Sequence, residues 1–124
     1  MADRNIAKST RAERRRSRVR GRVFGTGERP RLTVAKSLKN IFAQIVDDEK
    51  MVTLVAAASN SPNVRSSLKN GMTKTEVART VGQIIAQEAK QKGIERVVFD
   101  RNKYQYHGRI KAVAEGARAG GLEF

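Results

Sequence analysis

Residues 73–100 read TKTEVARTVGQIIAQEAKQKGIERVVFD, a stretch that predicts a helix followed by a strand. Thr73 and Glu76 form the T-x-x-E pattern of a capping box, and Gly93 is the residue type that ends helices in a left-handed conformation. The apolar residues between these ends recur at helical spacing: Val77, Val81, Ile84 and Ile85. We therefore expect a helix over Thr73–Gly93. The apolar run Arg96–Asp100 that follows predicts a short buried strand.

Upstream of this stretch, three runs rich in β-branched and aliphatic residues predict strands: Leu32–Ser37, Ile41–Asp47 and Met51–Ala57. The connections between them are only three residues long, which favours an antiparallel meander. In the second run, alternation groups Ile41, Ala43 and Ile45 on one face. We interpret Phe42 as a core residue as well, and Asp47, Asp48 and Glu49 as solvated residues of a hairpin turn.

A second helix is predicted over Gly108–Ala119, where apolar residues line one face and Gly120 and Gly121 follow. The helix between the third and fourth strands implies a right-handed β-α-β crossover. We therefore expect an α/β (mixed α+β) domain with a four-stranded mixed sheet in the order 3-2-1-4 and helices packed on one face. The segment Asn60–Met72 is expected to be a loop.

Positive charge is concentrated at the N-terminus. The chain carries 26 Lys and Arg against 12 acids, a net charge of +14 and a pI near 11.1, and residues 1–31 alone hold eleven bases and three acids. The run Arg11–Arg22 has too few apolar residues to bury a face, so in isolation it should be disordered or only nascently helical. We divide the chain into a basic arm, residues 1–29, and a folded domain, residues 30–124. We interpret the arm as an RNA- or DNA-binding segment in preference to a solubilising tail or a nuclear-import signal. The reason is that the planar guanidinium of arginine pairs bidentately with phosphate.

Several classes of site are disfavoured by composition. The chain has no cysteine and a single histidine, so disulfides, thiolate metal sites and a transition-metal ligand set are not expected. We expect no cofactor and no small-molecule substrate. No apolar run approaches the roughly 20 residues that span a bilayer, and no signal peptide is recognisable. We expect a soluble, cytoplasmic protein without a membrane partner.

The segment FDRNKYQYHGR, residues 99–109, contains both tyrosines and the histidine. A catalytic interpretation makes His107 a general base oriented by Asp100, although no nucleophile signature accompanies the pair. An interpretation as an RNA surface places Arg101, Lys103 and Arg109 on phosphates, with tyrosine or histidine rings stacked on unpaired bases. Alternatively the rings are half-buried anchors, and for Tyr106 this is as plausible as a functional role.

The segment YQYHGRIKAVAEGARAGGLEF, preceded by VVFDRNK, resembles the C-terminal signature of the bacterial-type large-subunit ribosomal protein eighteen family. The resemblance extends to the arginine-rich start, to RLTVAKSLKNIFAQIVDD and to KGIERVVFDR, and so covers essentially the whole chain. It implies a mixed α/β domain and a non-catalytic protein that binds 5S rRNA. Such a protein helps to attach 5S rRNA to 23S rRNA in the central protuberance, beside neighbouring 5S-binding large-subunit ribosomal proteins.

The RNA-facing residues that the charge pattern and the resemblance together imply lie in the arm, the first hairpin and the loop after the fourth strand. They are Arg11, Arg14, Arg15, Arg16, Arg18, Arg20, Arg22, Arg29, Arg31, Lys36, Ser37, Lys39, Asn40, Arg101, Lys103, Tyr104, Tyr106, His107 and Arg109. Two other classes remain open from the residues alone: a basic DNA-compacting protein and a small hydrolase or nuclease. The first would bind duplex DNA as well as 5S rRNA, and the second would depend on His107 and Asp100.

Overall fold

The protein is described here as a computed structural model, which covers residues 4–20 and 23–124. Its elements in chain order are α1 (Arg4–Arg20), β1 (Arg31–Lys36), β2 (Ile41–Asp47), β3 (Val52–Ala58), α2 (Pro62–Arg65), α3 (Lys74–Gln91), β4 (Val98–Asp100) and α4 (Gly108–Ala119). The sequence predicted β2 and α4 at these bounds and placed β1 and β3 one residue away. Within the basic arm, which in isolation was expected to be disordered or only nascently helical, residues Arg4–Arg20 form a 17-residue helix in this structure.

The four strands form one mixed sheet in the order β3-β2-β1-β4, which confirms the predicted order. β1 pairs antiparallel with β2 and parallel with β4, and β2 pairs antiparallel with β3. The fourth strand is shorter than predicted because Arg96 and Val97 pair with Glu123, near the C-terminus, instead of with β1. Arg96 forms an isolated bridge with Glu123, and the Val97 amide donates to the Glu123 carbonyl oxygen at 3.1 Å.

The core lies between one face of the sheet and the helices α3 and α4. Alternate residues of the strands are buried against these helices: Leu32, Val34, Ile41, Ala43, Ile45, Val55 and Ala57. Phe42 is half-buried and points to the opposite face, so the prediction of a core position for it is wrong. The reason is the two-residue period of the strand, which cannot direct Phe42 to the same face as Ile41 and Ala43.

Helix α3 begins at the predicted capping box. The Glu76 amide donates to Thr73 Oγ1, and the Thr73 amide donates to Glu76 Oε2, each at 3.2 Å. Gly93 follows the helix with φ +80°, a conformation that favours glycine. The segment 60–72, expected to be a loop, contains the one-turn helix α2, which starts at Pro62 and buries Val64 completely.

Helices α3 and α4 cross in direct backbone contact at two glycines. A Cβ atom on Gly82 would overlap the Val113 carbonyl oxygen, and one on Gly116 would overlap the Arg79 carbonyl oxygen. The two backbones can approach this closely only where neither helix carries a side chain. The crossing holds α4 over the sheet, and the loop that precedes α4 is thereby fixed against β1. In the described residues, no helix is long and apolar enough to cross a membrane.

Substitution of Gly82 by Ala is expected to lower the free energy of unfolding by about 2 kcal/mol. The added methyl group must push the helices apart, a strain of about 1–3 kcal/mol or more that exceeds the gain of Ala in helix propensity. Thermal unfolding followed by circular dichroism should show a melting temperature lower by roughly 10 °C. Gly27→Ala is the control, since a Cβ there meets only Asp47 Oδ2 at an ordinary 3.5 Å. Equal stability of both variants would contradict the close crossing.

Candidate nucleic-acid interface

Hydrogen bonds gather three predicted regions, the arm helix, the first hairpin and the loop of residues 101–107, at one end of the sheet. Arg16 Nε donates to Asn102 Oδ1 at 3.0 Å, which joins the arm to the loop. Arg109 Nη1 donates to the Ser37 carbonyl oxygen at 3.3 Å, which joins α4 to the hairpin. Residues predicted from separate parts of the sequence therefore form one basic surface.

The loop that follows β4 is shaped by Asp100 and Asn102. Asp100 Oδ1 accepts the Asn102 amide at 2.8 Å, and Asn102 adopts a left-handed conformation with φ 60°. Asn102 Oδ1 accepts the Lys103 amide at 2.9 Å, while its Nδ2 donates to the Val34 carbonyl oxygen at 3.3 Å. Asn102 was not among the predicted site residues. The signal available in the sequence was an Asp-x-Asn pattern at a strand end, where both residue types favour tight turns.

Tyr104 is held by the backbone of β1. Its hydroxyl accepts the Lys36 amide at 3.2 Å and donates to the Lys36 carbonyl oxygen at 3.3 Å. The ammonium groups of Lys36 and Lys103 lie over its ring, 5.4 and 5.7 Å from the centroid. Cations are attracted to an aromatic face in this geometry. Tyr104 is therefore half-buried and already faced by two lysines.

Tyr106 and His107 lie nearer the solvent. Tyr106 is 41% exposed, packs its ring edge-on against Phe99 at 5.9 Å, and accepts a hydrogen bond from Arg118 Nη1 at 3.3 Å. His107 is exposed and precedes α4 without a side-chain cap. The Asp100 carboxylate is occupied by Asn102 and Arg31 instead of orienting His107. The arrangement gives a general-base role of His107 no support.

Arg31 lies in a partly buried ion network instead of facing solvent. Its guanidinium donates to Asp48 at 3.0 and 3.1 Å and to Asp100 at 2.7 Å. The three side chains are 12%, 10% and 2% exposed for Arg31, Asp48 and Asp100. Burial disfavours the charged guanidinium, but hydrogen bonds and charge attraction from both aspartates outweigh it and raise the pKa of Arg31 above its ordinary value. The guanidinium that was predicted to contact phosphate is therefore bound by two aspartates.

The acidic turn between β2 and β3 also differs from expectation. Asp47 is only 2% exposed, and its Oδ1 accepts the backbone amides of Glu49 and Lys50. Asp48 accepts the Gly25 amide at 2.8 Å in addition to Arg31. The prediction that these aspartates are solvated is wrong, because one shapes the turn and the other joins the buried network. Glu49 is exposed, as predicted.

In the first hairpin the predicted residues divide into two kinds. Lys36 and Lys39 are exposed, so their charges face solvent. Ser37 and Asn40 close the turn, since the Asn40 amide donates to Ser37 Oγ at 3.1 Å and Asn40 Oδ1 accepts Ser59 Oγ at 2.9 Å. Leu38, at the tip of the hairpin, is 86% exposed and was not predicted as a surface residue.

The remaining predicted cations are exposed wherever their side chains are described: Arg11, Arg14, Arg15, Arg16, Arg18, Arg29 and Arg101. Arg101 also donates to the Tyr104 carbonyl oxygen at 2.9 Å. Arg22 and the side chain of Arg20 lie outside the described residues. Among the described residues, no three His, Asp or Glu side chains cluster as a metal site.

The fold and the basic surface define a class, the small, strongly basic α/β proteins whose surface suits a polyanion. A family model described as "Ribosomal L18 of archaea, bacteria, mitoch. and chloroplast" matches residues 6–124. The chain belongs to this family of large-subunit ribosomal proteins, and the suspected resemblance is confirmed.

Relatives named "Large ribosomal subunit protein uL18" match the chain along nearly its whole length. The protein of Desulforudis audaxviator is 59% identical over 112 residues, which cover 90% of this chain and 91% of the relative. The protein of Thermus thermophilus is 56% identical over 119 residues, which cover 96% of this chain and 100% of the relative. That of Chloroherpeton thalassium is 55% identical over 118 residues, which cover 95% of this chain and 97% of the relative.

Proposed function

We propose that this protein binds 5S rRNA and helps to attach it to 23S rRNA in the central protuberance of the large ribosomal subunit, without catalysing a reaction. Neighbouring 5S-binding proteins of the subunit are its proposed protein partners. The family and the relatives support a place in the large subunit. The observation that carries the proposal is the convergence of the arm helix, the hairpin and the 101–107 loop on one basic surface.

The proposed RNA-binding surface consists of cations held on a rigid frame, and all of them are exposed except Lys103 and Arg109, which are half-buried. Its cations come from the arm, the first hairpin and the loop before α4: Arg11, Arg14, Arg15, Arg16, Arg18, Lys36, Lys39, Arg101, Lys103 and Arg109. Arg31 is left out because both aspartates already occupy its guanidinium. Ser37 and Asn40 support the hairpin, and Tyr104 supports the loop, so these residues act by placing the cations beside them.

Affinity and selection have separate physical sources in this proposal. Each phosphate that a cation neutralises releases condensed counterions, which makes binding strong at low salt and steeply salt-dependent. Phosphate contacts carry no base-sequence information, so selection requires a surface whose shape matches the RNA fold. The hairpin and the loop are fixed to the sheet by Tyr104 and Arg109, and they can supply that shape. The arm supplies most of the affinity.

The proposed function is tested by competition at physiological salt. Labelled 5S rRNA bound to the protein is challenged by transfer RNA and by duplex DNA at equal phosphate concentration. We expect a preference for 5S rRNA on the order of 10³-fold, since selective nucleic-acid binding commonly exceeds non-specific binding by that much or more. Equal competition by duplex DNA would replace the proposal with a DNA-compacting function. Cleavage of the RNA that His107→Ala abolishes would indicate a nuclease.

A further inference from the structure

An open cleft of about 630 Å³ lies between the arm helix and the loop after β4. It is lined by Ala12, Glu13, Arg15, Arg16, Lys36, Lys103 and Tyr104. Four of these residues are cations and one is an acid. Within the described part of the chain, none of the four cations takes part in an ion pair. The cleft therefore carries a net positive charge, and its complement is an anion.

The walls of the cleft come from distant parts of the chain and are joined by Asn102. Its Oδ1 accepts Arg16 Nε from the arm at 3.0 Å, and its Nδ2 donates to the Val34 carbonyl oxygen of β1 at 3.3 Å. The backbone of Asn102 has a left-handed conformation, φ 60°, which an asparagine tolerates better than most residues. One side chain thus ties the arm helix to the sheet.

The opposite wall is organised by Tyr104. Its hydroxyl is bonded to the Lys36 backbone, and its ring attracts the ammonium groups of Lys36 and Lys103. Because both lysines face the ring, Tyr104 places two positive charges in the cleft. The cleft is therefore suited to the sugar-phosphate backbone, because Lys36, Lys103 and Arg15 can bind its phosphate oxygens.

We propose that this cleft is a binding site for the phosphate backbone of an RNA segment, and that Asn102 creates the site by docking the arm helix onto the folded domain. The inference rests on the proposed function and deepens it. The arm forms one wall of the site, so part of the arm is already ordered before RNA binds. Preorganisation of this kind raises affinity because less conformational freedom is lost on binding.

The test compares the whole protein with Asn102→Gly. Glycine keeps the positive φ without strain and removes the two side-chain hydrogen bonds that join the arm to β1. In the free variant, trypsin is expected to cleave after Arg14, Arg15, Arg16 and Arg18 several times faster than in the parent protein. A single-stranded oligouridylate of 12 nucleotides should bind about three- to tenfold more weakly, the effect of losing the one hydrogen bond between Arg16 and Asn102 that docks the arm. The salt slope should stay unchanged, since no charge is removed.

Two further variants separate docking from damage to the loop. Arg16→Lys replaces the Nε–H donor of this contact with an ammonium group one atom further along the side chain, keeps the charge and leaves the domain untouched, so it should weaken the contact and reproduce part of the loss of affinity. Asn70→Gly changes an exposed loop asparagine that does not line the cleft, and it should behave as the parent. Parent-like cleavage and binding of both Asn102→Gly and Arg16→Lys would overturn the proposal.

The outcome is separable from that of the proposed function. The effect of Asn102→Gly and Arg16→Lys on oligouridylate binding measures the cleft, whereas the competition assay measures preference for 5S rRNA. If the protein shows no preference for 5S rRNA but its oligouridylate binding still depends on Asn102, the proposed function is refuted and the phosphate-backbone site in the cleft stands. A strong 5S preference with no effect of Asn102→Gly or Arg16→Lys on oligouridylate binding or trypsin cleavage would refute the backbone site and retain the proposed function.

Discussion

Deletion of residues 1–22 is expected to reduce the affinity for 5S rRNA by about 10²- to 10³-fold at 100 mM salt. The deleted segment contains nine Lys and Arg residues. If about three or four of them contact phosphates, each contributes about 0.7–0.9 to the slope of log affinity against log salt, and the slope should fall by about 3. Filter binding or fluorescence anisotropy between 50 and 400 mM salt measures both quantities.

The deletion ends at residue 22 because the chain that follows belongs to the domain's framework. The Gly25 amide donates to Asp48 at 2.8 Å, and the Gly25 carbonyl oxygen accepts the Asp48 amide at 3.0 Å. The proposed border between arm and domain therefore lies nearer residue 23 than the residue 29 suggested by charge alone. A truncation at residue 28 would remove these bonds and confuse lost stability with lost affinity.

A neutral arm is the matched control for this deletion. Replacement of residues 1–22 by a Gly/Ser segment of equal length keeps the chain length and removes the charge, so its affinity should equal that of the deletion. The preference for 5S rRNA over transfer RNA should survive in both proteins, since the hairpin and the loop are unchanged. A lost preference with an unchanged salt slope would contradict the division of affinity and selection between arm and domain.

Substitution of Arg31 by Met is expected to lower the free energy of unfolding by about 3–5 kcal/mol. The variant leaves the carboxylates of Asp48 and Asp100 buried, close together and without their counter-charge, which is the costly way to break a buried ion network. Urea unfolding followed by circular dichroism measures the change. The salt slope of RNA binding should be unchanged under conditions where the variant is folded, because the Arg31 guanidinium is already paired with Asp48 and Asp100.

Two controls define the origin of that loss. Arg96→Met breaks the Arg96–Glu123 pair, whose side chains are 62% and 68% exposed, and it should cost less than about 1 kcal/mol. The triple variant R31M/D48N/D100N removes all three charges, while the amide oxygens can still accept the backbone amides of Gly25 and Asn102. It should recover most of the lost stability. A triple variant as unstable as Arg31→Met would locate the effect in packing and not in charge.

Local patterns in the sequence determined the four strands and the helices α3 and α4. The T-x-x-E box at Thr73 and the glycine at position 93 mark helix α3 because capping involves only residues a few positions apart. The alternation of apolar and other side chains in Ile41–Asp47 identified the buried face of β2, again because it involves only residues that are neighbours in the chain. The helical crossover indicated that the fourth strand runs parallel to β1, and its place beside β1 was the preferred strand order. The total charge and its concentration in the arm were equally visible.

Contacts between distant residues were decided by the tertiary structure alone. Arg31 meets Asp48 and Asp100, 17 and 69 positions away, so a cation that the charge pattern assigned to RNA became part of the domain's interior. Arg16 meets Asn102 across 86 positions, and no local signal marks either residue as the partner of the other.

The physical reason is the range over which each interaction acts. Helix caps, strand alternation and net charge depend on residues that are neighbours in the chain or on a simple count, so the sequence by itself determined the sheet, the two long helices of the domain and a basic arm suited to a polyanion. Burial, ion pairing and the shape of a cleft depend on which side chains meet in space. Only the tertiary structure decided that Arg31 is inside, that Tyr104 orients lysines, and that the arm and the loop enclose one site.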